Sequence, residues 1–358
     1  MRVDARDDDV VVAVDANGAD LGPAEVAAGA ALAARQGARV LLFGPAREMS
    51  ASVDLPAALV EVVDAPVSIA KSADPVRAAR NTPESSIVQA ARAVAQGRAQ
   101  ALVCAGGTGA AVAAGLFNIK RGRGIHRPAL ALALPVPGHP VTLLDVGANA
   151  EARKEHLVQF AFMGAALAQV VLGVSRPRVG VLSNGEEAQR GSALVVAARA
   201  ELQERVRASG WLELVGNVEG GDVTTGVADV IVTDGFTGNV ALKLMEGVSQ
   251  TMLGAVREAA MSSPRAKLGG LLLRPSLRVF RDEIDPEAHG GAYLLGLRSL
   301  GVVPHGRFTR KGFAQAILRA HKGASEDLVG RTYAALEQAG ALKLAPASVR
   351  ASSLPPDQ

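Results

Sequence analysis

Ala101-Leu102-Val103-Cys104-Ala105-Gly106-Gly107-Thr108-Gly109 opens with an apolar run, turns through glycines and leads into the alanine-rich stretch Ala110–Ala114. So short an apolar run, with no polar alternation, reads as a strand covered on both faces. The alanines after the turn read as a helix. Working outward, the same order recurs at Val10–Val14, Val40–Phe43, Val60–Val63, Val141–Leu144, Val179–Leu182 and Val230–Thr233, each run closing on a polar turn. Strand, turn and helix repeated along a chain predict an α/β fold, a mostly parallel sheet flanked by helices.

Composition fits a folded catalyst. The chain has 358 residues, enough for one large domain or two smaller ones, and 39 glycines, far more than the turns of a helical bundle need. Lys and Arg number 38 against 35 Asp and Glu, a formal net charge of +3, and aromatic residues make up 3%. Scattered charge and few stacking rings argue against a nucleic-acid partner. One cysteine, Cys104, excludes an internal disulfide and any multi-cysteine metal site and suits a reducing compartment. The acidic start, residues 1–9, lacks the apolar core of a signal peptide and reads as a disordered extension. Phe160–Val174 is too short for a bilayer span and reads as a buried helix.

The expected organisation is a single catalytic domain over 10–340 and a flexible tail over 341–358. Thr82-Pro83-Glu84 offers an N-cap and a first-turn proline for a helix over Ser85–Gln96, stopped by Gly97. Met261–Arg281 breaks the alternation, with Arg265, Lys267, Arg274, Arg278 and Arg281 around Leu271-Leu272-Leu273, Leu277 and Phe280. We read 261–300 as an inserted helical segment. It either touches lipid headgroups, docks an acidic carrier protein, or packs as a helix pair at a dimer interface with Pro275 marking a bend.

Chemistry is expected where the strands end. Asp15–Asp20, Ala105–Gly109, Asp145–Asn149, Ser183–Glu187 and Asp234–Asn239 are five polar, glycine-bearing turns, predicted to converge along the carboxyl edge of one parallel sheet. Glycine admits close backbone approach, and a following helix start presents free N–H groups, so Gly106–Gly109 suits an oxyanion or phosphate.

Taken in order, Asp-Ala-x-Gly-x-Asp at 15–20, Ala-Gly-x-Thr-Gly-Ala at 105–110, Leu-Asp-x-Gly-Ala-Asn at 144–149, Gly-Glu-Glu at 185–187, Gly-Asn-x-Glu-Gly at 216–220 and Asp-Gly-Phe-Thr-Gly-Asn-Val at 234–240 resemble the PlsX family. Order and spacing match from about Val11 to His321. The resemblance implies a Rossmann-like three-layer sandwich like that of isocitrate and isopropylmalate dehydrogenases and phosphotransacetylases. It implies a homodimer, cytoplasmic and peripherally bound to the membrane, with no cofactor. The reaction it implies is transfer of a fatty acyl group from acyl carrier protein to inorganic phosphate, the acyl phosphate passing to a glycerol-3-phosphate acyltransferase for phospholipid synthesis. The sequence departs from the family pattern at Asn17, Ala19, Gly107, Ser183 and Arg190, which bears on efficiency and acyl preference.

Phosphate is itself a nucleophile and a thiol of pKa near 8.5 leaves readily, so no catalytic triad is required. The site needs cations and N–H donors around phosphate and thioester carbonyl. Gly106, Gly107, Thr108 and Gly109 are the expected donors, with Asn239 at a helix start. Lys243, one turn later, is either a phosphate ligand or a solvated lysine, and Arg190 either a phosphate clamp or a surface residue. Asp15, Asp20, Asp145 and Asp234 either orient these groups or cap helices and turns. Gly18, Gly185, Glu186, Glu187, Asn149, Asn217, Glu219, Gly235 and Gly238 join them as motif members. His305 is the one histidine expected at the site, and His126, His139, His156, His289 and His321 show no metal-ligand spacing. Cys104 reads as a small buried hydrophobe. The rivals are a phosphotransacetylase-like enzyme using acyl-coenzyme A and a non-catalytic acyl-chain or carrier-binding protein. A metal-dependent dehydrogenase is disfavoured because no second Asp follows Asp234 through Ala259.

Overall fold

A computed structural model describes residues 10–51, 53–136 and 138–343, so the expected extension 1–9 and residues 344–358 of the expected tail lie outside the described residues. Among the described residues eleven strands form one sheet: β1 (Val11–Asp15), β2 (Arg39–Gly44), β3 (Val60–Asp64), β4 (Ala101–Cys104), β5 (Ala129–Leu134), β6 (Val141–Leu144), β7 (Arg178–Leu182), β8 (Glu213–Val218), β9 (Val230–Val232), β10 (Ala292–Leu295) and β11 (Leu300–Val303). Their spatial order is β3-β2-β1-β4-β11-β10-β5-β6-β9-β7-β8. The seven expected strands are present.

The four others were hidden for local reasons. β5 reads Ala-Leu-Ala-Leu-Ala-Leu, residues of helical preference that sheet pairing overrides. β8 carries a bulge: Leu214 pairs Val179 but Gly216 pairs Gly180, and Gly216 takes φ +101° there. β10 and β11 lie in or beside the segment assigned to the insertion.

Helices cover both faces. One layer holds α1 (Pro23–Ala34), α6 (Lys154–Leu167), α7 (Ala193–Ser209), α10 (Arg310–Ser325) and α11 (Leu328–Gln338), packed with Val12, Val14, Val40 and Leu42. The other holds α3 (Pro75–Asn81), α4 (Ser86–Ala95) and α5 (Thr108–Ala114), packed with Ala13, Leu41, Phe43 and Leu102. Alternate strand residues thus enter opposite cores, the period-two rule of a doubly covered sheet. A short α2 (Ala46–Ser50) lies beside β2. α6 and the π-helical turn Ala168–Leu172 make the one described helix long and apolar enough to cross a bilayer, but 78% of that window is buried inside the fold.

The sheet corrects the expectation of one shared carboxyl edge. β3, β2, β1, β4 and β11 are mutually parallel, as are β6, β9, β7 and β8. Between them β10 is antiparallel to both β11 and β5, and β5 to β6. These reversals leave the second parallel block running opposite to the first. The turn after β4 and the turns after β6, β7 and β9 therefore leave the sheet in opposite directions.

Boundaries also move. α4 starts at Ser86 with Ser85 at the cap, and Thr82 ends α3, its carbonyl accepting from the Ser85 hydroxyl. The helical excursion begins earlier and ends earlier than 261–300: α8 (Gly235–Met261) runs straight out of the β9 turn, α9 (Pro264–Glu283) returns, and 292–300 belongs to the sheet. α9 continues through Pro275 without a break. At the other end Ala341–Lys343 are docked, with Ala341 buried, its carbonyl accepting from Gln159 and Lys343 N–H donating to Gly124.

Candidate active site

The motif turns gather into three groups. In the first, the loops after β1, β4 and β11 pack backbone on backbone. A Cβ on Gly18 would lie 2.1 Å from the Ala105 carbonyl oxygen, and one on Gly106 2.6 Å from that of Gly18 and 3.2 Å from Gly306. Asp20 N–H donates to Gly306 O at 2.7 Å. Gly107, at φ +70°, is covered by Ala70, while Thr108 and Gly109 are exposed at the start of α5.

Asp15 stands behind this surface rather than on it. It is buried, accepts from Asn17 N–H and from the Cys104 thiol, and burial pushes its carboxyl above the usual range. Cys104 is buried as expected. Burial and the Asp15 charge push its thiol well up, so it stays protonated and cannot serve as a nucleophile. Asn17 is also structural, donating to Ala65 O and the Ser86 hydroxyl.

In the second group the first turn of α8 is seated on the β6 turn. Asp145, fully buried, accepts from Leu130, Gly147 and Ala148 N–H on one oxygen and from the backbone and side chain of Asn149 on the other. Burial still pushes its carboxyl upward. Gly235 N–H donates to Asn149 O at 2.8 Å, and a Cβ on Gly238 would lie 1.9 Å from Asp145 O, so only glycine fits. Asp234 caps α8, its two oxygens taken by Thr237 N–H and hydroxyl. Asn239 is exposed beside Gly147.

The third group is the loop Ser183–Arg190. Asn217, buried, donates to the carbonyls of Gly185, Glu187 and Arg190 and so staples the loop to β8. Glu186, Glu187 and Arg190 are exposed, with Arg190 3.4 Å from Glu187, and Glu219 is exposed beyond them. Leu182, just before this loop, and Leu242 and Met245 of α8 pack against the same hydrophobic core.

α8 joins the first group to the second. Two turns along from its root, Lys243 Nζ lies 3.0 Å from Glu246, and Arg307 of the loop after β11 lies 3.8 Å from the same carboxylate oxygen. His305 sits among them, its Nδ1 accepting from Arg307 N–H; burial, then the charges of Arg307 and Lys243, push its imidazole down and keep it neutral. Two cations thus share one acid beside a glycine-lined helix start. Sequence reading missed Glu246, Arg307, Ala70 and the buried Ser86, because none lies in a motif. Glu246 at three residues from Lys243 was the available signal. A separate cavity of about 450 Å³ between α11 and the Gly122–Ile125 and Gly296–Leu300 loops includes none of these groups.

The model of the fatty acid synthesis protein family matches residues 10–331. The chain belongs to that family, the PlsX proteins. It is 43% identical over 314 residues to a phosphate acyltransferase of Thermobifida fusca, covering 87% of each chain. To that of Nitratidesulfovibrio vulgaris it is 42% identical over 311 residues, 86% of this chain and 89% of the relative. Among solved structures it shares its fold with a phosphotransacetylase of Streptococcus pyogenes, TM-score 0.60 at 15% identity over 88% of this chain and 94% of that one. The EutD phosphotransacetylase of Staphylococcus aureus gives 0.57 at 16% identity with the same coverage. The PlsX motifs therefore divide here between buried residues that shape loops (Asp15, Asp145, Asn149, Asn217) and exposed ones at their rims.

Proposed function

We propose that this PlsX protein transfers a fatty acyl group from the thioester of an acyl carrier protein to inorganic phosphate. A phosphate oxygen attacks the thioester carbonyl carbon, the carbon–sulfur bond breaks, and the departing thiolate takes the proton of hydrogen phosphate, leaving acyl phosphate and free carrier thiol. The observation that carries this reading is the junction at Glu246. Lys243 and Arg307 are held where a dianion can replace the carboxylate between them, next to the donors of Gly107–Gly109 and Asn239; the Gly106 N–H, expected among them, is instead committed to the Cys104 carbonyl at 2.9 Å. Cys104, buried and held protonated, offers no thiolate to compete with phosphate as the nucleophile. The test is palmitoyl carrier protein with and without phosphate, following thiol release and acyl phosphate. Phosphate-dependent release is expected; activity with acetyl-coenzyme A alone would instead support a phosphotransacetylase.

The projecting α8 and α9 support the finer parts. On α8 the exposed stripe Phe236, Val240, Leu244, Val248, Met252 and Val256 repeats every four residues, the pattern of a helix covered by a partner, and we assign it to a homodimer. On α9 exposed Leu268, Leu271 and Leu272 stand beside exposed Arg265, Lys267 and Arg274, which suits an anionic membrane surface. A cytoplasmic enzyme resting on the membrane would release acyl phosphate where a glycerol-3-phosphate acyltransferase can use it. Chemical crosslinking and pelleting with phosphatidylglycerol vesicles test the two assignments.

A further inference from the structure

α3, α4 and the π-helical turn Gly115–Ile119 that continues α5 carry a second basic surface, on the sheet face away from α1 and α6. Arg77 and Arg80 stand one turn apart on α3, and the Arg80 guanidinium lies 4.4 Å from the Phe117 ring centroid. Arg92 of α4 donates to Asn118 at 3.4 Å. Lys120 and Arg121 follow, and Arg298 is tied to both, its N–H donating to Lys120 O and its Nε to Arg121 O. All six are exposed, and none forms an ion pair among the described residues. The acids of these elements stand at turns: Asp74 caps α3 by accepting from Arg77 N–H, and Glu84 precedes α4.

This surface differs from α9 in what accompanies the charge. Of the large exposed hydrophobic side chains, only Val76 belongs to α3, α4, α5 or the turn that continues it, against a dense set of leucines on α9. Cations with few exposed apolar neighbours suit an acidic protein; cations among leucines suit lipid. The surface also leads to the site. Pro75 of α3 lies against Gly109, and the ten residues from Thr108 to Phe117 span about 15 Å at the rise of an α-helix. A long prosthetic arm attached to a protein seated over Arg80 can follow α5 back to the glycine turn.

We propose that Arg77, Arg80, Arg92, Lys120, Arg121 and Arg298 form the docking face for the acidic acyl carrier protein. This rests on the carrier-dependent reaction proposed above. Guanidinium groups fix the carrier's carboxylates bidentately, and their summed field steers its approach.

The variant to build is Arg77→Glu with Lys120→Glu, since neither side chain has a hydrogen-bond partner among the described residues; Arg80→Glu is the second. With palmitoyl carrier protein kcat/KM should fall about tenfold or more and lose salt dependence. With palmitoyl pantetheine, the same thioester without a protein, kcat/KM and the KM for phosphate should stay within about twofold. An unchanged carrier KM overturns the proposal, as does equal loss with both donors. Lost pelleting with phosphatidylglycerol vesicles at an unchanged carrier KM also overturns it and gives the face to lipid. If the wild-type protein releases no thiol with phosphate, the reaction itself is wrong. Anisotropy of labelled carrier then still decides the face: weaker binding to the variants is expected, and equal binding overturns it.

Discussion

The root of α8 and the turn two steps along it are built in opposite ways. At the root Asp145 is buried and fully engaged, and Gly235 and Gly238 leave no room for a side chain. At the junction Lys243 and Arg307 are about half exposed and share one oxygen of Glu246. Geometry is thus fixed in one place and charge left exchangeable in the other. A phosphate can replace a surface carboxylate at little cost, but nothing can replace the carboxylate that shapes a loop.

The largest effect that would break this contrast is at the root. Gly238→Ala should destabilise by about 4 kcal/mol or more, because its methyl would enter the Asp145 carbonyl; soluble protein with wild-type Tm would refute the seating of α8. At the junction Lys243→Ala and Arg307→Ala should each lower kcat/KM for phosphate about 100-fold with little change in Tm, and a large fall in Tm would make them structural.

The buried acids sharpen the comparison through pH. Asp15 has its carboxyl raised by burial, so its contribution to stability is fully present below the unfolded carboxylate range and is lost as pH rises through the folded value. Wild-type protein should therefore lose stability relative to Asp15→Asn as pH rises above about 4, by at most about 1.4 kcal/mol per pH unit. Parallel Tm curves would show that Asp15 does not titrate there. The smallest effect is expected for Glu246→Gln. Freeing two exposed cations should lower the KM for phosphate by about threefold, and a raised KM would mean that Glu246 positions Lys243 rather than occupying its place.

Much of this was legible in the residues. Val230–Val240 named its own strand, turn and helix, and the apolar runs marked seven strands because strands covered on both faces leave a continuous signal. The direction of β6 through β9 was not legible. It depends on β5 and β10, whose short alanine- and leucine-rich stretches carry no periodicity of their own. At the site the motifs identified the loops but not the work of each residue. Asp145 and Asn217 look like ligand groups in sequence, and only the tertiary fold shows the two Asp145 oxygens and the Asn217 amide nitrogen already committed. Arg307 and Glu246 lie far apart in the chain, so their meeting is a fact of the tertiary fold alone.

The length of α8 has a mechanical consequence. Its 27 residues make a rod of about 40 Å, clamped at Gly235 and Gly238 and free of the sheet beyond Met245. Asn239 and Lys243 ride on the clamped end and Met261 on the other. A rod held so tightly at one end has little freedom to pivot, so whatever immobilises the far end also sets the orientation of the site, as a mast fixes the attitude of the hull beneath it.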